Sequence, residues 1–84
     1  MEKHVGVIAI LIHDRKIAAP KVNEVLTHYG DLIVGRMGIP YAKRGDMHVI
    51  TLIVDGTNDE LGAMTGKLGA VKGVTVKSTL AKCA

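Results

Sequence analysis

The chain has 84 residues, 48% hydrophobic and 23% charged, with a formal net charge of +3. That length allows one domain, residues 1–84, near the smallest size a single apolar core sustains, because ordering costs roughly 1 to 2 kcal/mol per residue in backbone entropy alone. Val5 to Ile12 is too short to span a bilayer, no signal-like leader is present, and the lone Cys83 excludes an internal disulfide and any CxxC motif, so a cytoplasmic protein with a free thiol on a loose tail is expected.

His4 to His13 is a nearly unbroken apolar run rich in β-branched residues, the pattern of a strand buried on both faces. Asp14 then offers an N-cap, and Ala18, Val22, Val25, Leu26 and Tyr29 keep helical spacing, with Lys21, Glu24 and His28 on the solvent side. Pro20 lies too deep for a first-turn proline, so the helix either bends there or begins there, and Gly30 ends it. Leu32 to Ile39, interrupted by Gly35 and Gly38 and closed by Pro40, suits an edge strand with a bulge. The segment Ala42 to Asp46 makes a turn. Met47 to Val54 is again apolar on both parities. Thr57 with Glu60 forms a capping box for a second helix reaching to Gly73, which sits where a C′ residue belongs, with Lys72 in the last turn. Val74 to Leu80 supplies the last strand, with Val74, Val76, Ser78 and Leu80 on one face and Thr75, Lys77 and Thr79 on the other.

The second helix carries Gly62, Gly66 and Gly69 within a narrow arc, nearly opposite Leu61, Met64, Leu68 and Val71. Each interior glycine costs roughly 1 kcal/mol relative to alanine. A stripe of three therefore suggests that another backbone or a ligand comes close.

The order βαββαβ predicts an α+β, ferredoxin-like sandwich: a four-stranded antiparallel sheet with two helices on one face. The first and third strands are central and apolar on both sides, yet helices cover one face only. The other face needs a partner, and a second copy of the same sheet is the simplest. A charge placed on that face tests the idea; Ile10 and Leu52 are candidate positions if they point that way.

Several functions are excluded by what the residues lack. The central strands hold no aromatic residue on which a base could stack, as an RNA-recognition motif requires. The lysines after Glu60 (Lys67, Lys72, Lys77 and Lys82) are spaced as solubilising and edge-guarding charges, so neither direct nucleic-acid binding nor a membrane partner is expected. GAMTGK, residues 62 to 67, is one residue short of a Walker A loop, lacks its Ser or Thr and lies within a helix. No nucleophile and base can be paired from spacing, and no enzyme is expected.

Three stretches carry a resemblance: VNEVLTHYGDLIVGRMGIPY (22–41), VITLIVDGTNDELGAMTGKLGAVKGV (49–74) and the closing VKS. They resemble the iron-only hydrogenase system regulators, a family of ACT-like proteins similar in fold to the C-terminal domain of nickel-responsive regulators. The likeness rests on Asn23, Gly30, Gly35, Arg36, Gly38, Pro40, Gly56, Asp59, Gly62, Thr65, Gly66, Lys67, Leu68, Gly69 and Gly73. It implies a non-catalytic regulatory module, homo-oligomeric, that binds a small effector or a hydrogenase-related protein. The nickel sensors' HxH strand pair is absent here.

Candidate ligand-binding or interface residues are Arg36, Gly38 and Pro40 on the second strand and Thr65, Gly66, Lys67 and Gly69 on the second helix. Arg36 has the geometry to clamp a carboxylate, and Lys67 the charge to face an anion. For a metal the candidates are His13 and His48, at neighbouring ends of adjacent strands, and His4 beside Cys83. They leave open a metal-responsive sensor, or a purely structural assembly subunit, as alternatives; no cofactor is named by the residues.

Overall fold

The computed structural model describes residues 2–82; Cys83, and with it the His4–Cys83 pairing, lies outside them. Elements follow in the order β1 (Lys3–Ile12), α1 (Arg15–His28), β2 (Ile33–Tyr41), β3 (Met47–Thr57), α2 (Asn58–Gly69) and β4 (Val74–Lys82), with short 3-10 turns before and after β2. The sheet is antiparallel in the order β2-β3-β1-β4 and carries both helices on one face, which is the ferredoxin-like arrangement.

Registers fix which side chains share a face. Ile8, Ile10 and Ile12 of β1 and Ile50, Leu52 and Val54 of β3 point to the helices and are buried with Ala18, Val22 and Leu26 of α1 and Leu61, Met64 and Leu68 of α2. Ile10 and Leu52 are therefore core residues, 0% exposed, and do not lie on the open face. Continuous apolar strands lose the period of two that would have shown this in the sequence.

α1 continues through Pro20, so the helix does not begin there; Asp14 occupies the N-cap position without a side-chain bond. β2 extends two residues past the expected end and includes Pro40 and Tyr41, with its register break between Ile33 and Gly35 as a bulge predicts. α2 ends at Gly69, not Gly73. The Val71 amide turns back to Leu68 at 3.2 Å, and Val71 to Val74 then closes a tight turn in which Gly73, at φ 82°, supplies the left-handed residue. Gly73 is thus a turn glycine rather than a C′ cap, and its carbonyl accepts the His13 amide at 2.8 Å, tying that turn to the end of β1.

Candidate functional site

The face of the sheet away from the helices is built from the odd-numbered residues of β1, β3, β2 and β4. Val5, Val7, Ala9 and Leu11 stand beside Val49, Thr51 and Ile53, and these beside Met37, Ile39 and Tyr41. Met37 is 61% exposed, Val7 and Ile39 48%, and Ile53 47%, values far above those of core residues. The β4 margin is polar, contributing Thr75, Lys77 and Thr79. A depression of about 230 Å³ on this face is lined by Gly35, Arg36, Met37, Thr51 and Ile53.

Of the residues singled out on β2, Arg36 borders this depression, while its side chain reaches to the other face. Arg36 pairs across from buried Leu52, which places it on the helix side, where its Nη2 donates to Asn23 Oδ1 of α1 at 3.4 Å. Gly38 lies over His48: a Cβ there would come 2.9 Å from the imidazole Nε2, so glycine makes room for the ring. Pro40 faces His48 across the ladder at the same exposed edge.

The α2 group is separate from them. Thr65 Oγ1 donates to the Gly62 carbonyl at 3.2 Å. Lys67 Nζ lies 5.3 Å from the centroid of the Tyr29 ring, a cation-π contact that joins α2 to the end of α1. Gly62, Gly66 and Gly69 are exposed, and beyond their chain neighbours and the backbone of their own helix no atom of the subunit comes within 4 Å of where a Cβ would stand. Nothing within the subunit explains the stripe.

The two candidate metal histidines point to opposite faces. His48 belongs to the helix side, since its ladder partner is buried Ile12, and its Nε2 is buried without a hydrogen-bond partner. His13 is exposed and hydrogen-bonded through Nε2 to Thr75 Oγ1 at 3.0 Å, on the open face. His4 leaves Nδ1 buried and unpartnered. Among the described residues no three His, Cys, Asp or Glu side chains gather closely enough to hold a metal.

A cleft that sequence reasoning missed opens between the end of α1 and the start of α2. It has a volume of about 420 Å³ and is lined by His28, Tyr29, Asp31, Leu32, Asp59, Glu60 and Ala63. The capping box sits on its rim. The Thr57 amide donates to Glu60 Oε1 at 2.9 Å, and the Glu60 amide donates back to Thr57 Oγ1 at 3.2 Å. The backbone and hydroxyl bonds from Thr57, aided by the charge of Lys3, hold the Glu60 carboxyl below the usual range. The cleft's residues come from segments some thirty apart in the chain, with no motif spacing to mark them.

Residues 4–78 match the model of a family described as "TM1266-like: Iron-only hydrogenase system regulator, putative". The chain belongs to this family. The solved structure of the uncharacterized protein TM1266 from Thermotoga maritima is 37% identical, matches over 94% of this chain and 98% of that one, and superposes with a TM-score of 0.89. The resemblance read from the sequence motifs is borne out. Two more distant structures share the fold alone. One is a dimeric ferredoxin-like protein from an uncultured marine organism, at 6% identity, 100% and 97% coverage and a TM-score of 0.51. The other is CPII, a nitrogen regulatory PII-like protein from Thiomonas intermedia K12 bound to ADP, AMP and bicarbonate, at 11% identity, 96% and 93% coverage and a TM-score of 0.55. No curated protein matches the sequence. Among the described residues no helix is long and apolar enough to cross a membrane.

Proposed function

We propose that this chain is a single-domain, non-catalytic regulatory module of an iron-only hydrogenase system that works as a homo-oligomer and binds a small effector or a partner protein. The observation that carries the reading is the open sheet face. Its three apolar strands, spaced by about 4.8 Å and roughly nine residues long, present about 430 Å² in projection, half of the ~800 Å² each partner gives to a standard interface. Monomeric proteins rarely leave so continuous an apolar surface in water. A second copy offers the same surface, and a two-fold axis lets it pair with itself.

The effector half of the reading is supported by the cleft beside α2, whose volume falls within the roughly 300 to 1,000 Å³ of small-ligand sites. The family's description as a regulator supports a binding role over a chemical one.

Sedimentation over a wide concentration range tests self-association. The expected result is a dimer or larger species at micromolar concentration, and Ile53→Lys is expected to give a smaller species with its circular dichroism intact. A stable wild-type monomer overturns the reading. Native mass spectrometry of protein purified without chelator then reads subunit count and any bound small molecule in one spectrum.

A further inference from the structure

The molecule is 41 Å long and 20 by 16 Å across. Strands of 9 to 11 residues, rising about 3.3 Å per residue, account for most of that length, so the long axis follows the sheet and the turns lie at its two ends. The ladders say which turns share an end. Ile12 pairs with both His48 and Val74, and Tyr41 with Met47, so the β1–α1, β2–β3 and α2–β4 connections meet. Two contacts tie them together: the His13 amide donates to the Gly73 carbonyl at 2.8 Å, and Arg15 Nε stands 4.0 Å from Asp46 Oδ1.

Charge is divided between the two ends. The three turns that meet hold Arg15, Lys16, Lys43, Arg44 and Lys72 against Asp14 and Asp46, all of them exposed. At the other end Glu2, Asp31, Asp55, Asp59 and Glu60 are set against Lys3 and Lys82. Five charges of one sign less two of the other leave one end at +3 and its opposite at −3. Among the described residues Lys16, Lys43, Arg44 and Lys72 form no ion pair.

The local structure puts these cations forward. α1 opens on Arg15 and Lys16 with no acidic residue in its first turn, an order that the helix dipole disfavours. Gly45, at φ 74°, turns the chain back after a short 3-10 turn and leaves Lys43 and Arg44 at the tip of the β2–β3 connection. A cross-section of 20 by 16 Å is about two Debye lengths wide at physiological salt, so the five charges act as one field. Charge set against local preference marks a surface kept for binding.

We propose that this basic end is the surface by which the protein docks an acidic patch, rich in Asp and Glu, on a partner protein. It deepens the partner-protein half of the proposed function and rests on that half. Two features favour a protein over a nucleic acid. The three turns contain no Phe, Tyr or Trp on which a base could stack. Asp14 and Asp46 stand among the cations, and a protein surface can set a lysine or arginine against each, whereas a continuous phosphate backbone meets them only with repulsion. The negative pole at the far end turns the molecule in the field of an acidic partner, so that the basic end arrives first.

Fluorescence anisotropy of a labelled oligoglutamate peptide reads the docking, with a DNA duplex of mixed sequence as the rival probe. Wild type is expected to bind the peptide more tightly than the duplex at equal ionic strength, and to bind it less tightly as salt is raised. Lys43→Glu combined with Arg44→Glu is expected to weaken peptide binding about tenfold, as two exposed ion pairs become repulsions, with melting unchanged. Should that pair disturb its turn, Lys16→Glu with Lys72→Glu, on the other two turns, carries the same expectation. Lys21→Glu with Lys82→Glu makes an equal change in net charge away from this end and is expected to leave binding nearly unchanged. Equal loss in both kinds of double variant means net charge alone, and a duplex bound more tightly than the peptide means a phosphate surface; either overturns the proposal, as does a wild type that binds neither probe. Sedimentation reads self-association separately. An assembled protein indifferent to the peptide overturns the docking end and leaves the homo-oligomer standing, while a monomer that binds the peptide at this end does the reverse.

Discussion

Thr57 and Glu60 show how two side chains set the start of a helix and respond to acid. Each satisfies an amide of the other, and Thr57→Ala is expected to cost about 1 kcal/mol in denaturant unfolding, the usual worth of an N-cap hydroxyl. Because the folded Glu60 carboxyl titrates below its ordinary value, its contribution is fully present above the usual carboxylate range and is lost as pH falls through the depressed folded value. Glu60→Gln should therefore lose stability relative to wild type near neutrality, and that gap should close on acidification. The glycines give a second expectation at this scale. In an isolated subunit Gly66→Ala should stabilise by up to roughly 1 kcal/mol through helix propensity, whereas a backbone or ligand packed on that flank would make the added methyl neutral or destabilising. Stabilisation at all concentrations with the oligomer unchanged would show that the flank has no neighbour. Gly69, the last residue of the helix, should respond less than Gly66.

At the scale of the element, β1 and β3 each divide their side chains between a core and an open surface, and substitution should tell the two apart. Leu52→Glu or Ile10→Glu places a carboxylate in the core and should unfold the protein or lower its melting temperature by tens of degrees, since burying an unpaired charge costs several kcal/mol. Val7→Lys, on the open face of the same β1, should leave the melting of the subunit nearly unchanged and act on assembly. The strands, both helices and the capping box could be read from periodicity and cap chemistry. Parity could not be read from β1 and β3, because an apolar residue at every position fits either facing. The end of α2 was also hidden: Lys72 and Gly73 imitate a helix terminus in sequence, while in the structure they belong to the turn that hands the chain to β4.

For the whole molecule, the fold was legible because six elements in the order βαββαβ admit few arrangements. The site was legible only as scattered candidates. Arg36, Gly38 and Pro40 belong to one edge and Thr65, Gly66, Lys67 and Gly69 to a helix on the other side, and spacing along the chain has no bearing on that separation. The histidines behave likewise: adjacency of strand ends suggested His13 with His48, and facing separates them. Transition metal is accordingly expected at well under one equivalent per subunit by elemental analysis, with melting unchanged by chelator. Stoichiometric nickel or zinc lost on His13→Ala or His48→Ala would instead promote the sensor reading.

The central place of β1 has a consequence for how the chain reaches its structure. β1 is made first, yet both its neighbours come late: Lys3 pairs with Thr57, and His4 with Lys82. The β2–β3 hairpin closes over a short connection, Tyr41 to Met47, and can form while the rest of the chain is still searching. Long-range pairings cost loop-closure entropy before any contact repays it, so β1 should join that hairpin in the slow step and β4 should seal the other side afterwards. Until then the most apolar strand of the protein stays unpaired on both edges, the interval in which a newly made chain is most open to capture by another of its kind.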